Sequence, residues 1–229
     1  MATYLELVQE LHISVGAAGS EPQAVTGLSG EAERLAAWVR RADNLIQMKW
    51  ANWKYLRNTW SVAGGNTTTQ GIATLAQPAD LVFWDEKTFM MALPGETDKN
   101  PVNIEEWDKR KGDVLDITEA AIDNVIIMPD NSLMFEPVPD GIYTFEADYY
   151  VRPTLLAAND DISVIPLRFH QAILGRAMIL YANFENAPEI KDQGEEIYVE
   201  QLALLENDQL PNQFNSRFRT GAMIEVIAE

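Results

Sequence analysis

Cysteine is absent from the 229 residues, and histidine occurs only twice, as His12 and His170. The first absence excludes disulfides, thiolate metal sites and thiol nucleophiles. Basic side chains are scarce too: 17 Lys and Arg stand against 35 Asp and Glu, a formal net charge of −18. Affinity for duplex DNA comes from Lys and Arg displacing condensed counterions, so this balance argues against a gene regulator. The same acidity suits a well-solubilised surface, or one that DNA passes without sticking. No apolar run approaches bilayer length, and the opening MATYLELVQELH has neither a basic n-region nor a long apolar h-region. The chain therefore reads as soluble and cytoplasmic, with no membrane association.

What is present is a hydrophobic fraction of 47%, enough for one large domain or two small ones. Thr3 and Glu6 have capping-box spacing, and Tyr4, Leu7, Val8 and Leu11 follow at helical intervals. His12, in the last turn, reads as a capping or surface histidine. A second helix is predicted from Ser29 as N-cap to about Tyr55, with Leu35, Trp38, Val39, Ala42, Leu45, Ile46 and Trp53 as its apolar stripe. Trp50 and Trp53 lie one helical turn apart, which favours packing over ligand stacking.

From Ser61 the helical period disappears, and SVAGGNTTTQG reads as a flexible excursion. Segments 87–93 and 124–137 have strand composition, the latter with a turn at Pro129, Asp130 and Asn131. Tyr143, Phe145, Ala147, Tyr149 and Val151 alternate with Thr144, Glu146, Asp148 and Arg152, the pattern of a half-buried antiparallel strand. NPVNIEEWDKRKGD reads as an exposed connection anchored by Trp107. Helical spacing returns after Pro166 through Phe169, Ile173, Ala177, Leu180, Tyr181 and Phe184, and Pro188 ends that helix. Another helix is predicted over 189–207, with Ile190, Ile197, Leu202 and Leu205 inward. The order predicts an α+β fold. Residues 1–60 and 153–210 form a four-helix bundle, 61–152 an inserted antiparallel β-rich domain, and 211–229 an extended C-terminal arm.

No catalytic set emerges. A general-base histidine needs a proton donor and an orienting carboxylate, and neither accompanies His170, whose neighbours Leu167, Ile173 and Leu174 are those of a packed helix. Asn159, Asp160 and Asp161 lack the further ligands of a calcium loop and read as a solvated stretch before a helix. AGGNTTTQG has no lysine to serve a phosphate, and GLSGE lacks the strand and spacing of a nucleophile elbow. No enzyme, metal or cofactor is therefore expected. Glu189, Asp192, Glu196 and Glu200 fall on one helical face. Each like-charged pair costs an isolated helix about 0.2–0.5 kcal/mol, so the stripe is either a hydrated outer face or one turned toward a basic partner or passing DNA. In the arm, Phe214 and Phe218 are apolar anchors and Arg217 and Arg219 charged ones. Segment 222–228, with Ile224 and Val226, has the composition to add a strand to a partner's sheet.

Three features together resemble tailed-bacteriophage head-to-tail adaptor proteins, also called neck, head-completion or tail-tubular-A-like proteins. They are the Gly-Pro-Gly loop before the Arg- and Trp-rich helix, the strand ending in Arg152-Pro153, and the Pro-initiated helix with its Phe-His pair and Tyr-Ala. The resemblance covers about the first 57 residues and 147–205. It implies a structural virion protein, made in the host cytoplasm and placed at the head-tail junction. There neighbouring copies would form a ring, commonly a dodecamer, between portal and a tail or nozzle protein, with DNA passing non-specifically through it. It also implies that His170 belongs to helix packing. A competing reading is a virion module that binds carbohydrate or protein through Trp84, Trp107 or other aromatics of the insert.

Overall fold

A computed structural model describes residues 2–60, 66–110 and 118–210. Two compact units emerge: Met1–Tyr55 joins the chain from Pro153 onward, and Leu56–Arg152 forms the other. No described helix is long and apolar enough to cross a membrane.

The first unit contains α1 (Tyr4–Ser14) and α2 (Glu31–Gln47), whereas α3 (Trp107–Arg110) is a single turn in the second unit. After the sheet, the chain returns to the first unit through α4 (His170–Glu185) and α5 (Pro188–Gln209). The capping box opens α1: the Glu6 amide donates to Thr3 Oγ1 at 3.2 Å, and the Thr3 amide to Glu6 Oε2 at 2.8 Å. Thr3→Ala removes one half of this pair and is expected to cost about 1 kcal/mol in chemical denaturation.

The start and end of α2 differ from expectation. Gly30, not Ser29, is the N-cap, at φ 67°, a left-handed backbone that glycine adopts freely, and no side chain caps the helix. The helix stops at Gln47 rather than near Tyr55. The carbonyl of Ile46 accepts both the Lys49 amide at 3.2 Å and the Trp53 indole N–H at 3.1 Å. A fully buried Trp53 thus folds back and satisfies a helix-end carbonyl that a longer helix would have bonded internally.

The helices do not close into a four-helix bundle. α1, α2 and α4 pack on one another, while α5 lies against α4 and makes at most marginal contact with α1 or α2. Two features explain this. Gly175 of α4 and Gly194 of α5 let the backbones touch, and α5 is too polar on its other side to be enclosed. Phe184, expected on the inner face of α4, is 59% exposed near its end, which Asn186 closes in the left-handed conformation.

The second unit is a set of short strands. They are β1 (Arg57–Trp60), β2 (Thr74–Leu75), β3 (Leu81–Trp84), β4 (Met90–Ala92), β5 (Lys99–Pro101), β6 (Asn103–Glu106), β7 (Glu119–Ala120), β8 (Asn124–Ile127), β9 (Leu133–Glu136), β10 (Val138–Pro139) and β11 (Thr144–Val151). β11 organises them, pairing antiparallel with β1, β3 and β4, and β4 pairs with β5. A second sheet runs β2-β9-β8-β6. The expected hairpin is β8 and β9, while the pairings β6 with β8 and β7 with β10 are parallel, against the antiparallel expectation. The stretch between β6 and β8 is long enough for such a crossover. β5 and β6 also occupy the segment expected as an exposed connection.

Two further corrections concern the insert. β1 places Trp60 in this unit's core, beside Trp84 at 5.2 Å, before the expected start at residue 61. Residues 66–68, expected as part of a flexible excursion, are fastened to β11: the Phe145 amide donates to Asn66 O at 2.9 Å and the Thr68 amide to Tyr143 O at 2.9 Å. Residues 61–65 lie outside the described chain. The alternation of β11 is realised, with Phe145 and Ala147 buried. Tyr150 is buried as well, on the other side of the strand from Tyr149, where its ring stacks on that of Phe83 at 4.6 Å.

Candidate functional site

His170 opens α4 after a 3-10 turn at Leu167–Phe169. It is buried, and its Nε2–H donates to the Ile165 carbonyl at 2.9 Å, which fixes the proton on that nitrogen. Burial lowers its pKa below the ordinary histidine value, against the raising effect of the Ile165 hydrogen bond, and so favours the neutral ring. His12, expected at the surface or as a cap, is buried in the last turn of α1.

The acidic loop before α4 does more than separate elements. The Tyr4 amide donates to Asp161 O at 2.7 Å, the Leu5 amide to Asn159 O at 3.2 Å, and the Val25 amide to Asn159 Oδ1 at 2.8 Å. The Asp161 carboxylate accepts the amides of Ala158 and Ala157, which hold it below the usual carboxylate range. This loop therefore satisfies free amides at the start of α1, where an N-terminus would otherwise leave them unpaired.

A second polar knot is buried. Asp43 of α2 is inaccessible; its Oδ2 accepts Gln47 Nε2 at 2.7 Å and its Oδ1 accepts the Ser163 hydroxyl at 2.5 Å. Gln47 in turn exchanges hydrogen bonds of 3.2 Å with both backbone groups of Thr154. Desolvation pushes the Asp43 pKa up to about 6, opposed by those hydrogen bonds. A carboxyl raised in the fold contributes stability at acid pH that is lost as pH rises from about 4 through about 6, on the order of 3 kcal/mol. Asp43→Asn should remove that dependence. The wild-type minus variant unfolding free energy, measured from pH 4 to 7.5, is expected to fall as pH rises.

At its far end α5 is clasped. Glu206 accepts the Trp50 indole N–H at 2.8 Å and pairs with Lys49 Nζ at 2.8 Å. Asp208 pairs with Arg168, and its carbonyl accepts Lys54 Nζ at 2.8 Å. Hydrogen bonds from Gln209 and then Arg168 hold the Asp208 carboxyl below its ordinary range. Trp50 and Trp53 thus both pack, though not on one helical face as their spacing suggested.

The acidic stripe is placed as its spacing predicts: Glu189, Asp192, Glu196 and Glu200 are all exposed on α5. Val199, 65% exposed, and Ala203 lie between and beyond them. The arm residues Phe214, Arg217, Phe218, Arg219, Ile224 and Val226 lie outside the described residues. Trp84 is no surface aromatic: it is buried and donates its indole N–H to Asn131 O at 2.9 Å. Trp107 is half-buried beside a cavity of about 290 Å³ lined also by Glu106, Asp108, Ile127, Met128 and Pro129. No cluster of metal-ligating side chains occurs among the described residues. What the sequence pattern had hidden is a set of exposed arginines on α2: Arg34 and Arg41 share a face, while Arg40 lies about a third of a turn round from them. Its signal was the set of charges between the apolar positions, which the reading of the buried stripe passes over.

Among the described residues, the ordered helices carry exposed faces of opposite charge. The class is that of phage structural virion proteins, of the head-to-tail adaptor kind. The chain belongs to the SU10 adaptor protein family, whose model matches residues 2–221, nearly the whole sequence. No curated protein matches it.

Proposed function

We propose that the protein forms a ring at the head-tail junction, attached to portal on one side and to a tail or nozzle protein on the other, with DNA passing through its centre. Family membership over residues 2–221 is the observation that carries this reading. A closed ring needs two different lateral surfaces on each copy, and the helical unit offers two outer faces of unlike charge. The segment 211–229 is the portal-binding element, with Phe214 and Phe218 as anchors and Arg217 and Arg219 as charged contacts. Ile224 and Val226 lie in the part that adds a strand to a partner's sheet. The clasp at the end of α5 gives that segment a fixed point of departure.

Deleting 211–229 is expected to leave a folded subunit, by circular dichroism and cooperative unfolding, that no longer co-sediments with purified portal. Retained portal binding would contradict the assignment.

A further inference from the structure

We propose that the exposed face of α2 docks on the acidic face of α5 of a second copy, so that these two surfaces make the lateral contact of the ring. The inference rests on the ring reading above and assigns its interface.

Three observations lead to it. The first is a concentration of free positive charge. In the helical unit, Lys49, Arg168 and Lys191 are in ion pairs, Lys54 donates to a backbone carbonyl and Arg176 lies over the Tyr198 ring. Arg34, Arg40 and Arg41 are exposed on α2, and none pairs with a described carboxylate. Arg34 instead lies 5.0 Å from the centroid of the exposed Phe184 ring, which also packs on Trp38 at 5.5 Å. In a chain of net charge −18, three unpaired guanidiniums on one helix form a localised exception.

The second observation is matched geometry. Arg34 and Arg41 are two turns apart with Ala37 between them and Met48 further along the same face, a separation of about 10.5 Å at the usual rise. On α5, Glu189 and Glu196 repeat that ~10.5 Å spacing, and Asp192 and Glu200 one of ~12 Å. Exposed Val199 and Ala203 sit beside those acids as Ala37 and Met48 sit beside the arginines. Each face therefore offers small or flexible apolar surface beside charge mainly of one sign, with Glu33 the exposed acid at the edge of the α2 face, and the prevailing signs are opposite.

The third observation is placement. α2 and α5 pack on α4 and at most marginally on each other, so neither face neutralises the other within one molecule. A head-to-tail contact between copies brings the two together once per subunit. It also offsets the mutual repulsion of strongly acidic copies, and on closure it leaves no face unused.

The test is sedimentation velocity of the full chain at low and high salt, alone and with purified portal. Two charge-reversed variants, R34E/R41E and E196K/E200K, are compared with an equimolar mixture of the two. All four positions are exposed, so folding is expected to be retained, checked by circular dichroism. Wild type is expected to assemble most strongly at low salt. Each double variant alone should weaken assembly at least tenfold, and the mixture should restore it, because alternating copies then set the introduced glutamates against the introduced lysines at one contact and the native arginines against the native acids at the next. Double variants that assemble like wild type overturn this interface while leaving the ring intact. A wild type that stays a single molecule under all conditions, portal included, overturns the ring reading and this inference together. Loss of DNA retention in R34E/R41E with unchanged assembly would make the α2 face a DNA contact instead, and overturns the proposal.

Discussion

Gly175→Ala should lower the unfolding free energy by about 2–3 kcal/mol, although alanine is the better helix former by about 1 kcal/mol. A Cβ at Gly175 would lie 2.8 Å from the Tyr198 amide nitrogen and 2.9 Å from the Gly194 carbonyl oxygen. Both are backbone atoms of α5 and cannot swing aside, so the helices must separate along their whole contact. The sign is the decisive readout in urea denaturation. A stabilised variant would mean that α4 and α5 are not in backbone contact. Gly194→Ala should behave alike, since its Cβ would meet the Met178 Cβ at 2.9 Å and the Gly175 carbonyl oxygen at 3.0 Å. The double variant should cost less than the sum, because separating the helices once relieves both clashes.

Phe145→Ala is expected to cost about 3–5 kcal/mol, the loss for a buried aromatic whose site cannot collapse. Phe145 is fully buried near the start of β11 and stacks on Phe135 of β9 at 5.1 Å, joining the two larger sheets through their side chains. Because β11 carries the pairings to β1, β3 and β4, disorder there should spread through residues 56–152. Hydrogen exchange is the informative measurement: amides of the sheet unit should lose protection while those of α4 keep it. Protection lost equally in both units would show that the two do not unfold separately.

Elements set by local chemistry could be read before the fold was known. Thr3 and Glu6 bond each other within one turn, and the alternation through Phe145 and Ala147 needs only a pleated strand with one dry face. Features set by distant partners could not. The end of α2 depends on Trp53 returning to a carbonyl seven residues back, and spacing alone cannot distinguish that from a helix continuing through it. Gly175 and Gly194 look like weak points in two separate helices until the two chains are laid together. β5 and β6 are too short and polar to announce themselves, being held by β4 and β8 rather than by their own composition. Of the candidate site, the four acids of α5 were legible because a helix fixes their common face. The three arginines of α2 were not singled out, because nothing local says which exposed charges will lack a partner.

The clasp at the end of α5 has a mechanical consequence. Residue 211 follows a turn that Trp50, Lys49, Lys54 and Arg168 grip from two other stretches of chain. If 211–229 docks on portal as proposed, a pull on it would pass into the region just after α2 and the turn that opens α4, instead of peeling α5 from its tip. The proposed docking segment would then be loaded by its partner while the helical unit keeps its shape.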